Sequence, residues 1–91
     1  MAKKIFKKIM KTEDQIMAKF VKIVYTYKGY EIQVNDDGKK FPAYVRKVYG
    51  GKIEYVTDYL YSKKYKTVQA ARKIANMIAS ENGATVIDYA D

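Results

Sequence analysis

Two turn signals in the middle of the chain, Asn35-Asp36-Asp37-Gly38 and Gly50-Gly51, constrain the fold more than any other feature. Asn, Asp and Gly tolerate the positive φ that tight hairpin turns require. The segments these turns separate are rich in β-branched and aromatic residues, which suit strands. Phe20, Val21, Ile23, Val24, Tyr25 and Tyr27 come first. Lys28-Gly29 then offers a tight turn into Tyr30, Ile32 and Val34, which alternate with Glu31 and Gln33. Further strands are predicted from Phe41 to Tyr49, with Pro42 at the start where a missing amide is tolerated, and from Lys52 to Tyr61. Strands joined in this way make an antiparallel meander.

Beyond Ser62-Lys63-Lys64 the period changes. Thr67 reads as an N-cap, and Val68, Ala71, Ile74, Ala75 and Ile78 form a stripe at helical spacing. Asn82-Gly83 ends that helix with a residue suited to a left-handed cap. Ala84 to Tyr89 either adds a short strand or trails off. At the other end, MAKKIFKKIMK alternates pairs of Lys with pairs of apolar residues, and Thr12-Glu13-Asp14-Gln15 has the form of a capping box. One helix runs through both, or a basic arm stops at Lys11 and a new helix starts at Thr12; the second arrangement is preferred. The expected fold is α+β: a three- or four-stranded antiparallel meander with one long C-terminal helix packed on a face, preceded by a basic N-terminal helix. Residues 1–11 form a basic amphipathic arm and residues 12–91 a single α+β domain.

At 91 residues the chain is one small domain with a thin core. Tyr supplies 10 of its aromatic residues against 3 Phe, and a phenol can pack its ring while its hydroxyl stays wet. With no Cys and no His, the chain has no disulfide, no thiol nucleophile, and neither the commonest metal ligands nor the commonest general base. Asp36-Asp37 sits in a turn, where paired acids are ordinary. Glu54 and Asp58, four apart on an expected strand, do not by themselves make a site. No enzyme, metal or cofactor is expected. No apolar run reaches the roughly 18 residues of a membrane span, and no signal-peptide pattern follows the N-terminus, so a cytoplasmic setting is expected.

The formal charge is +8, and of the 18 cations only Arg46 and Arg72 are Arg. Lys is a flexible point charge, whereas Arg forks onto phosphates and base edges, so the balance favours backbone contact over base reading. Lys63, Lys64 and Lys66, joined by Arg72 and Lys73, cluster in the turn before the long helix and on its first exposed face. Helix N-terminal amides favour anions there. Tyr44, Arg46 and Val48 are expected to share one strand face, and Tyr55, Thr57, Tyr59 and Tyr61 one face of the next. Aromatic rings interleaved with cations suit stacked bases and held phosphates. Lys3, Lys4, Lys7 and Lys8 of the arm would widen the footprint, lie on an anionic membrane, or face outward while Ile5, Phe6 and Ile9 dock on the domain or a second copy.

Ser62-Lys63-Lys64 followed by Ala70-Ala71 resembles the second-helix motif of double-stranded RNA-binding domains, whose paired Lys residues grip phosphate across a groove. The chain departs from that motif at Tyr59 and Tyr61, where glycines are usual, and at Lys66 and Thr67. Tyr27-Lys28-Gly29-Tyr30-Glu31-Ile32, the turn at Asp37-Gly38, and Tyr65-Lys66-Thr67 leading into an Ala-rich helix resemble the arm-binding domains of phage integrases. Those domains lay a three-stranded sheet in the DNA major groove. Both resemblances imply a nucleic-acid partner, double-stranded by preference. The expected function is backbone contact with little base specificity. The alternative is a phage-type interaction module or inhibitor that docks on an acidic protein surface.

Overall fold

The computed structural model describes residues 18–36 and 39–89, so the expected helical arm and its capping box lie outside the described residues. The described elements are β1 (Ala18–Thr26), β2 (Gly29–Asp36), β3 (Ala43–Tyr49), β4 (Lys52–Val56), α1 (Val68–Asn82) and β5 (Thr85–Asp88). A short 3-10 turn at Tyr59–Tyr61 separates β4 from α1. The class is α+β, as expected.

The sheet has five strands in the order β4-β3-β2-β1-β5. The first four are antiparallel to their neighbours, whereas β5 runs parallel to β1, from Phe20↔Thr85 to Ile23↔Asp88. This corrects the expectation of a purely antiparallel sheet of three or four strands. The helix is the reason. It starts near the end of β1 and returns to the level where β1 begins, so the chain leaving it enters the sheet in β1's direction.

Both helix ends are locally determined. Thr67 Oγ1 accepts the Ala70 amide at 3.2 Å, and Gly83 closes the helix at φ 67° and ψ 29°. Between these ends, Ala71, Ala75, Ile78 and Ala79 are buried against one sheet face. The small Ala side chains let the helix approach closely. On the sheet, the cross-strand pairs Val21↔Val34 and Ile23↔Ile32 supply most of that face, joined by Val45 and Ile53. Each buried Ile or Val contributes about 1.5–3 kcal/mol relative to exposure.

Three departures from regular strands shape the opposite, open face. The first lies in β1, where the register shifts between Ala18 and Val21. Asn35 Oδ1 caps this bulge, accepting the Lys19 and Phe20 amides at 2.9 and 2.7 Å. A second bulge lies in β3 between Val45 and Lys47. The extra residue inverts the alternation. Tyr44 therefore sits on the open face, while Val48 pairs with Ile53 and packs against the core. Tyr44, Arg46 and Val48 do not share a face as expected. The third departure is the end of β4 at Val56, where Asp58 Oδ1 accepts the Leu60 amide at 2.9 Å and starts the 3-10 turn. The expected single face of Tyr55, Thr57, Tyr59 and Tyr61 does not form.

The sheet is also split. β2 and β3 pair only at Gln33↔Tyr44 and Val34↔Ala43. Above that point the chain from residues 62 to 65 fills the gap. Lys63 N donates to Val45 O at 2.8 Å, and Tyr65 and Tyr30 exchange amide–carbonyl bonds at 2.8 and 2.9 Å. This wedge bonds to β3 on one side and β2 on the other. A Cβ at Gly29 would stand 2.7 Å from the Tyr65 carbonyl oxygen, and the φ of +135° there is one that L side chains rarely adopt.

Candidate nucleic-acid interface

Strand direction decides which lysines meet. β1 and β3 run the same way, so the turns that follow them, Tyr27–Lys28 and Gly50–Gly51, lie at one end of the sheet. The wedge climbs to that end, where Tyr65 pairs with Tyr30, and α1 begins three residues later. Lys28, Lys47, Lys52, Lys63 and Lys66 are thereby gathered at the hairpin end, and all five are exposed.

Three of these lysines hold their charge over a Tyr ring. Lys28 Nζ lies 5.6 Å from the Tyr27 ring centroid, Lys47 Nζ 5.7 Å from Tyr49, and Lys63 Nζ 5.2 Å from Tyr65. Cation–π contacts at exposed sites are worth about 0.5–1 kcal/mol, enough to bias a side chain without removing its charge from solvent. Tyr27 is 89% exposed and Tyr49 54% exposed, so their outer ring faces remain open.

The wedge sorts the lysines of the turn by alternation. Lys63 points outward and Lys66 is exposed, but Lys64 turns inward. Its Nζ lies 3.3 Å from Glu31 Oε1 and donates to Ser62 Oγ at 2.7 Å. Glu31 is only 6% exposed and also accepts from Ser62 Oγ at 2.9 Å and Gln33 Nε2 at 3.0 Å. Lys64 is thus tied to a buried carboxylate beneath the wedge.

Both arginines stand in ion pairs. Arg46, the bulged residue of β3, meets Glu54 at 2.7 Å. Arg72 on α1 meets Asp88 on β5, joining helix to edge strand. Lys73 is exposed on α1, one turn and more from Lys66. Tyr44 lies half-buried on the open face, in a row with Lys22, Gln33 and Val56. Burial raises its phenol pKa first, and the nearby Glu31 carboxylate and Tyr59 raise it further. Burial likewise raises that of Tyr65, whose hydroxyl has no hydrogen-bond partner among the described residues. Lys3, Lys4, Lys7 and Lys8 lie outside the described residues.

The structure therefore brings together Lys63 and Lys66 of the expected cluster, and adds Lys28, Lys47 and Lys52, which the sequence reading did not single out. A signal for them was present: each lies within three residues of a hairpin turn and of a Tyr, and alternate turns of a meander share one end. Among the described residues no group of three or more acidic side chains is placed to hold a metal ion. No helix among them is long and apolar enough to cross a membrane. Comparison of the chain with protein-family models, curated proteins and solved structures gives no match in any of the three.

Proposed function

We propose that this chain is a nucleic-acid-binding module that holds the phosphate backbone at the hairpin end of its sheet and reads little base sequence. One observation carries the reading: five exposed lysines from four separate segments lie toward one end of the sheet, where a helix begins, and three of them stand beside tyrosine rings. Ammonium groups neutralise phosphates without regard to sequence. The arginines, the side chains best suited to reading guanine edges, are held by Glu54 and Asp88. A double-stranded partner fits a surface spread over two hairpin tips and a helix start better than a narrow groove for a single strand would.

Fluorescence anisotropy with labelled duplex DNA, duplex RNA and single strands tests the reading at 50 and 200 mM salt. Contact with five phosphates gives a logarithmic slope near −4.5, about a 500-fold loss of affinity over that range. Binding that ignores salt, or none at 50 mM, overturns it.

A second reading, docking on an acidic protein surface, draws on a different observation. Tyr59, Leu60 and Tyr61 are 60%, 67% and 63% exposed in succession on the 3-10 turn. Tyr is enriched at protein interfaces for the same amphipathic reason that it suits bases. Recovery of one protein partner after nuclease treatment, lost on Leu60→Asp, favours this reading over the first.

A further inference from the structure

A pocket of about 160 Å³ opens on the uncovered sheet face at the end opposite the hairpin tips. Lys22 and Gln33, cross-strand partners on β1 and β2, form its floor beside Asn35, while Lys40, Phe41 and Pro42 lead into β3 as its wall. None of the described side chains lining it is acidic. Its polar atoms are already sorted by their internal bonds. Asn35 spends its Oδ1 on two backbone amides, which leaves its Nδ2 group as the donor. Gln33 spends its Nε2 on Glu31, which leaves its Oε1 as the acceptor. Lys40 Nζ lies 5.7 Å from the centroid of the Phe41 ring, so a cation and an aromatic face stand together at the rim, and that ring is 67% exposed.

We propose that this pocket binds a nucleoside monophosphate unit, free or at the end of a strand, with its phosphate on Lys22, Lys40 and the Asn35 amide and its base against Phe41. Two ammonium groups and an amide donor lining one concavity suit a phosphate oxyanion. The ring beside them suits a flat heterocycle. Gln33 Oε1 offers one acceptor to an exocyclic amine or a ribose hydroxyl. The volume falls below the roughly 300 Å³ of pockets that enclose a drug-sized ligand, so part of the nucleotide stays outside. The affinity is accordingly millimolar. This site lies at the far end of the sheet from the lysines of the hairpin tips and stands or falls separately from them.

The test is a heteronuclear NMR titration of the full chain with AMP, ribose 5-phosphate, inorganic phosphate and a 5′-phosphorylated pentanucleotide. Saturable shifts are expected at Lys22, Gln33, Asn35 and Phe41, with AMP binding at least about fivefold more tightly than ribose 5-phosphate. Phe41→Ala should remove that difference and leave ribose 5-phosphate binding as it was. Lys22→Gln should weaken both ligands, and Lys66→Gln neither. A free-nucleotide site shows AMP equal to the pentanucleotide, whereas a strand-end site favours the pentanucleotide; either outcome supports the pocket. Shifts that stay linear in ligand, that centre on Lys63 and Lys66, or that are equal for AMP and ribose 5-phosphate overturn it.

Discussion

The hydroxyl of Ser62 donates to the carboxylate of Glu31 at 2.9 Å, across 31 positions of sequence, and this bond pins the wedge to the sheet it fills. Lys64 closes the same cluster from the other side of Ser62, at 3.3 Å from the carboxylate. A carboxylate buried to this degree persists only because its oxygens are matched by donors.

Removing that match should cost more than the contact itself. Glu31→Ala is expected to lower stability by about 2–4 kcal/mol in urea denaturation, because it strands a half-buried ammonium and the Ser62 hydroxyl. The double variant Glu31→Ala/Lys64→Met should recover part of the loss. A single-variant cost under about 0.5 kcal/mol would show that the cluster is dispensable.

Gly29 meets the wedge from its other end. Gly29→Ala combines an unfavourable backbone region with a Cβ 2.7 Å from the Tyr65 carbonyl oxygen, a backbone atom that cannot swing aside as a side chain would. The expected loss is about 1–3 kcal/mol or more. Faster hydrogen exchange should concentrate at the amides of Tyr30 and Tyr65, while those of β4 and β5 slow or hold relative to global stability. Uniform protection would separate Gly29 from the wedge.

Tyr65 carries a buried hydroxyl without a partner among the described residues. Tyr65→Phe is expected to raise stability by about 1 kcal/mol at neutral pH, since the desolvation cost disappears. The pH dependence has a definite sign. The folded-state pKa values of Tyr44 and Tyr65 are both raised above the ordinary 10.0. Their contribution is therefore complete below pH 10 and is lost as pH rises through the folded-state values. Thermal melts between pH 8 and 12 should show that decline in the parent and a shallower one in Tyr65→Phe.

Lysines of the same turn should separate by phenotype. Lys63→Gln with Lys66→Gln is expected to leave the melting temperature nearly unchanged and to flatten the logarithmic salt slope for duplex by about 2. Lys64→Met should lower the melting temperature and leave the slope of the folded protein as it was. The reverse pattern would place the phosphate contact on Lys64.

What sequence made legible was what neighbouring residues decide. Thr67 and Gly83 bound the helix because capping is a local bond, and Gly50-Gly51 announced its hairpin because only backbone freedom is at stake. Arg46 shows the limit. A bulge is one extra residue against the partner strand, invisible in a single strand's alternation, and it turned Val48 from the face shared with Tyr44 to the core. Lys64 shows the same limit at the site. Adjacent in sequence to Lys63, it reads as the same patch, yet its direction depends on Glu31 in a distant strand. Lys28, Lys47 and Lys52 were legible one by one but not as a group, because their grouping follows from which strands run together.

The place of β5 has a consequence for the order in which the molecule is made. β1 is among the first described segments to leave the ribosome, but its outer neighbour is Thr85–Asp88, synthesised some 60 residues later. Throughout that interval one edge of β1 offers unsatisfied amides and carbonyls beside Val21 and Ile23, a template for a second nascent chain. The lysines at positions 19 and 22 flank that edge. Like charge on every copy opposes such pairing until Thr85–Asp88 covers the edge.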